Sequence, residues 1–135
     1  MEATDVVRRF VGSVESRDLD AIAGCFDVAA SYANVPEAPA VGREAIADLF
    51  RPIVGRSDRI VWDVVSSAVA GDRVHLERLD RFWIDGIEYV APCHGVFEVD
   101  VERGVITAVR DYVDLASWRA RLGGALVAGG AGRRS

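Results

Sequence analysis

An α+β fold is what this sequence predicts: a curved, mixed but mostly antiparallel sheet wrapped around N-terminal helices to form a conical pocket. Three observations predict it. Apolar residues recur at helical spacing near the N-terminus and again from Gly42 to Gly55. From Arg59 to Leu115 the pattern changes to alternation with a period of two, which marks strands. Those strands are joined by short turn signals at Gly71-Asp72, Asp85-Gly86 and Glu102-Arg103-Gly104, so neighbours run antiparallel as a four-strand meander. Helices segregated beside an antiparallel sheet define the α+β class.

Thr4 is expected to cap a first helix carrying Val6, Val7, Phe10, Val11 and Val14, and Asp18 a second carrying Leu19, Ile22 and Phe26. Core packing is the reading adopted for both. Residues 28–35 form a strand ended by Pro36 and Pro39, with Tyr32 and Asn34 on one face. A third helix follows, in which Pro52 is expected to introduce a kink or an early end. The strand from Arg59 to Ala70 is apolar on both faces and should be covered on both, by helices, ligand or a partner subunit. In the strand after Gly86, Pro92 and Gly95 suggest a bulge or bend, which would curl the sheet. Asp114 or Ser117 caps a closing helix with Trp118 and Leu122. Residues 1–122 then make one domain, and the Gly/Ala-rich 123–135 a flexible tail.

At 135 residues the chain has the length of a single domain, and half of it is hydrophobic, enough for a core with a pocket inside. The net charge of −5 and the scattered Lys and Arg argue against nucleic acid. The acidic start lacks the pattern of a signal peptide, and no apolar run approaches the roughly 20 residues that span a bilayer. Cys25 and Cys93 have no metal-type spacing and read as free thiols of a cytoplasmic protein. His75 and His94 are the only histidines, so no metal cluster is expected; His75 falls on the strand face opposite Arg78.

The chemistry lies in two strands. The even positions from Val74 to Ile84 run Val74, Leu76, Arg78, Asp80, Phe82, Ile84, so alternation sends two charges into an otherwise apolar interior. Burying a charge costs several kcal/mol unless it is paired, so a third group should meet them. Asp111 interrupts the apolar positions Val109, Val113 and Leu115 in the same way and is the candidate. A buried ion-pair network without chemistry would also satisfy this pattern. A Tyr and an Asn on a strand are, by themselves, more often solvated than catalytic.

Taken together, Tyr32-Ala33-Asn34-Val35-Pro36, Glu77-Arg78-Leu79-Asp80 and Arg110-Asp111-Tyr112-Val113-Asp114 resemble the limonene-1,2-epoxide hydrolase family, a branch of the cystatin-like α+β folds that includes nuclear transport factor 2 and ketosteroid isomerase. The resemblance implies Asp111 as base, Asp80 as acid, Arg78 as the bridge between them, and Tyr32 with Asn34 as holders of the attacking water. It implies no cofactor, a small apolar epoxide and water as substrates, and a homodimer, for which the face carrying Leu79 and Trp83 offers apolar surface. The pocket wall is expected from Ile53, Phe82, Ala91, Cys93, Val109 and Val113. The last four are smaller than the side chains the family pattern leads one to expect, so a roomier pocket follows. The alternatives are a ketosteroid-isomerase-like or polyketide-cyclase-like enzyme on the same fold, or a non-catalytic small-molecule binding module. Opening an epoxide through an ester to Asp requires a doubly wound sheet and a nucleophile elbow, and the sequence has no Gly-x-Ser-x-Gly motif.

Overall fold

The first helix is built around Phe10. In the computed structural model, which describes residues 1–126, α1 (Ala3–Glu15) turns Val6, Val7, Phe10, Val11 and Val14 to the core. Phe10 packs against the rings of Phe26, Tyr32, Phe50, Trp62 and Phe97 at centroid separations of 5.2–6.3 Å. Removing such a side chain from water contributes roughly 1.5–3 kcal/mol. Thr4 is not the cap. The helix starts earlier, with Glu2 at the cap position and its N–H donated to the Asp5 carboxylate at 2.8 Å. An acid in the first turn also suits the positive end of the helix dipole.

The second helix, α2 (Leu19–Gly24), is capped as expected by Asp18, which accepts from the Ala21 N–H at 3.0 Å. Strand β1 (Phe26–Val35) follows, and then β2 (Ala40–Val41), which the sequence did not reveal. Two residues are too few to show alternation; β2 exists through its pairing with Ser31 and Tyr32. Helix α3 (Arg43–Arg56) runs past Pro52, contrary to the expected early end. Proline removes one helical hydrogen bond there, while Ile46, Ala47 and Phe50 keep the helix seated on the core.

The meander is β3 (Arg59–Ala70), β4 (Arg73–Ile84), β5 (Ile87–Asp100) and β6 (Val105–Val113). The sheet order is β2-β1-β6-β5-β4-β3. Among the described residues only β1 and β6 pair in parallel, and the other pairs are antiparallel. That parallel pair brings Tyr32 and Asn34 beside Val109 and Asp111. Beyond β6, α4 (Leu115–Trp118) is capped by Asp114, which accepts from the Ser117 N–H at 3.1 Å, and widens into π-helical turns over Arg119–Gly123.

One expectation about the sheet needs correction. The β4–β5 ladder is continuous through Pro92 and Gly95, and the register shifts lie elsewhere, one of them between Val64 and Ser66 in β3. Pro92 is tolerated because β5 begins to pair with β6 only at Cys93, so the missing N–H is not needed on that side. In β3, Ile60 and Trp62 are buried, while Asp63–Ala70 is exposed in the single chain although α1 lies beside Val64 and Ser67. Leu79 and Trp83 stand half-buried on the outer sheet face. The expected tail begins differently: residues 124–126 are still helical, and Leu126 packs against the core. The remainder of that tail, 127–135, lies outside the described residues. Among the described residues no helix is long and apolar enough to cross a membrane.

Candidate active site

The inner face of β4 is buried at every even position, as alternation predicts, and Arg78 and Asp80 are part of it. Asp111 arrives from β6, two strands away, and all three are dry: Arg78 is 1 % exposed, Asp80 5 % and Asp111 4 %. Arg78 Nε and Nη2 donate to the two Asp80 oxygens at 2.7 and 3.1 Å. Nη1 and Nη2 donate to the two Asp111 oxygens at 3.1 and 2.8 Å. One guanidinium therefore grips both acids through its planar fork. Its flat face lies over the Trp62 ring at 4.0 Å, a cation–π contact in a desolvated place.

Tyr32 completes the cluster. Its ring belongs to the aromatic core and its hydroxyl donates to Asp111 Oδ2 at 2.5 Å. The expectation that Tyr32 and Asn34 jointly hold a water is thereby modified, since the Tyr32 hydrogen is committed to Asp111 and only its oxygen remains to accept. A carboxylate has about four acceptor positions. Asp111 fills two on Oδ2 and one on Oδ1, which leaves one free on Oδ1.

The two acids are held differently. Burial pushes Asp80 up to about 6, Arg78 beside it works in the opposite direction, and the Asp111 charge adds to the rise. Asp80 therefore keeps its proton to a higher pH than an ordinary carboxyl does, and each proton it keeps removes one charge from the buried cluster. A dry site favours the smaller charge. Burial, then the Asp111 charge, raises the Tyr32 phenol well above its ordinary range, so it stays a donor. Although burial alone would weaken Arg78, the two carboxylates raise it further and it stays charged. The Cys93 thiol is pushed up by burial and by Asp111, which keeps it protonated and unsuited to be a nucleophile.

These groups close one end of a cavity of about 250 Å³ with largely apolar walls. Tyr32, Asn34, Asp80 and Asp111 line it, while Arg78 sits behind the acids. Of the expected wall residues, Ile53, Phe82, Ala91, Cys93 and Val113 are present. Val109 is not: it pairs with Tyr32 and Phe97 and is buried in the core. Several lining residues were not anticipated, among them Trp62, Phe50, Trp118, Leu126 and the ion-paired Glu37 and Arg119. No group of three or more His, Cys, Asp or Glu that could hold a metal occurs among the described residues. His75 and His94 lie with their rings 5.8 Å apart and do not line the cavity.

A helix-backed curved sheet thus holds two carboxyls and an arginine beside a cavity with largely apolar walls, an arrangement of the α+β type that can take a small molecule. The sequence matches the limonene-1,2-epoxide hydrolase catalytic domain over residues 1–120, and the chain belongs to that family. It is similar to the structure of an LEH-like epoxide hydrolase from M. tuberculosis, with 29% identity, a TM-score of 0.75, and 93% of this chain and 92% of that one covered. A candidate SnoaL-like polyketide cyclase from Shewanella denitrificans OS-217 shares the fold at 10% identity and a TM-score of 0.78, covering 90% of this chain and 96% of that one. A protein with a ketosteroid isomerase-like fold from Catenulispora acidiphila DSM 44928, in complex with trimethylamine, shares it at 21% identity and a TM-score of 0.73, with 87% and 92% covered. No curated protein matches the chain in sequence.

Proposed function

We propose that this protein converts a small apolar epoxide and water to a vicinal diol in one step, by general acid/base catalysis and without a covalent intermediate. One observation carries the proposal: a single arginine bridges two buried acids, one of them raised to about 6, at the end of an apolar cavity. Water, placed by the Asn34 amide and the Tyr32 oxygen, gives a proton to Asp111 and attacks an epoxide carbon. The carbon–oxygen bond breaks as Asp80 delivers its proton to the ring oxygen. The turnover leaves Asp80 ionised and Asp111 protonated, so one proton must return from Asp111 to Asp80 before the next. Assistance of this kind supplies typically ~10²–10⁴-fold in rate for each group. An isomerase or cyclase that moves a proton with one base has no use for a second acid clamped by arginine, which disfavours that reading.

A single turnover with small cyclic and terminal epoxides in ¹⁸O-labelled water tests the mechanism. Label is expected in the diol from the first turnover. Unlabelled diol in that turnover would mean that the oxygen came from the protein, through an ester, and the one-step route would be abandoned.

A further inference from the structure

Gly95 lies in the middle of β5, between Leu76 of β4 and Asp111 of β6, in a ladder with no irregularity at that point. It is not one of the glycines with positive φ, so its backbone does not require glycine. Glycine inside a strand is otherwise a weakness, because it packs nothing and costs more entropy to order. What the position requires is room. A Cβ there would lie 2.5 Å from Arg78 Nη1, 2.7 Å from Asp111 Oδ1 and 3.0 Å from Phe97 Cε1. The first two atoms are the donor and acceptor of one hydrogen bond, the 3.1 Å contact between guanidinium and base. Neither can easily step aside. Arg78 is fixed by four N–H bonds and by Trp62 beneath it, and Asp111 is fixed by Tyr32 at 2.5 Å.

We propose that Gly95 is a positioning residue: the missing side chain at this point of β5 is what lets Arg78 lie flat between the acids with its Nη1 on Asp111. Its kinetic consequence rests on the hydrolase reading, but its steric content does not. In Gly95→Ala the new methyl group drives Nη1 and Oδ1 apart. A misplacement of about 1 Å in a catalytic constellation can cost ~10²-fold, so kcat should fall by about that factor with KM nearly unchanged. A mere packing defect would lower the melting temperature without this loss of kcat at nearly constant KM.

Thermal melts of Gly95→Ala, Asp111→Ala and the double variant test the steric claim without using activity. Asp111→Ala removes Oδ1 and frees Nη1, while Arg78 keeps both of its bonds to Asp80. Gly95→Ala should therefore cost much less melting temperature in the Asp111→Ala background than in the parent chain. If Gly95→Ala does not fold alone, the double variant should fold again. An equal loss in both backgrounds, or no recovery of folding, overturns the proposal, as does a Gly95→Ala enzyme with the parent kcat. If the parent chain makes no diol, the hydrolase reading fails, and the melts still decide the role of Gly95.

Discussion

Asp111→Asn should lower kcat by ~10²–10⁴-fold, the range for loss of a positioned general base, while the fold survives. The Asp111 carboxylate lines the cavity and receives three hydrogen bonds, one from Tyr32 and two from Arg78. An amide keeps the shape but cannot take the proton. Stability should change little, because Arg78 keeps both bonds to Asp80, at 2.7 and 3.1 Å. Losing the Asp111 charge that helped to raise Asp80 favours its ionised form, so Arg78 is not left unpaired. Steady-state kinetics and a melt of the same preparation check both halves. A well-folded variant with parent turnover would remove Asp111 from the role of base.

Arg78→Ala should do more damage, ending turnover and costing about 3–5 kcal/mol of stability, the usual consequence of removing one partner from a buried ionic cluster. Both acids depend on this side chain for two hydrogen bonds each. Asp111 would keep only Tyr32, and Asp80 would keep none of the bonds that now hold its carboxyl. The Trp62 ring would lose the cation above it. Urea melts measure the loss, and a variant as stable as the parent would mean that water reaches the acids.

Much of this site could be read along the chain because alternation is rigid. Once β4 is a strand, Val74, Leu76, Phe82 and Ile84 commit its even positions to the core, and Arg78 and Asp80 have nowhere else to go. The same logic reaches Asp111 through Val109, and the parallel β1–β6 pair closes the cluster with Tyr32. What could not be read depends on register and on the third dimension. Counting back from the Gly71-Asp72 turn places Trp62 opposite Arg81, on the outer phase; the shift between Val64 and Ser66 moves it opposite Asp80, where it lies under Arg78. Gly95 reads as a bend from sequence alone, because glycine in a strand has several causes and only coordinates show which atoms crowd it. Val109 has the right phase for the pocket, yet it is sealed into the core. Trp118 and Leu126 reach the cavity from a closing segment that the sequence marks only as helix and then as tail.

The proposed reaction needs a proton on Asp80, and the Asp80 carboxyl reports this directly. Its folded value of about 6 lies above the ordinary 3.8, so the folded chain holds this proton more tightly than the unfolded one. The stabilising contribution is therefore complete below the ordinary value and is lost as pH rises through about 6. A ¹³C-carboxyl NMR titration of the folded protein, with Asp80→Asn to assign the resonance, measures the midpoint. The account predicts a midpoint near 6. A midpoint at the ordinary value of 3.8 would leave no proton on Asp80 to give to a ring oxygen at neutral pH, and would contradict it.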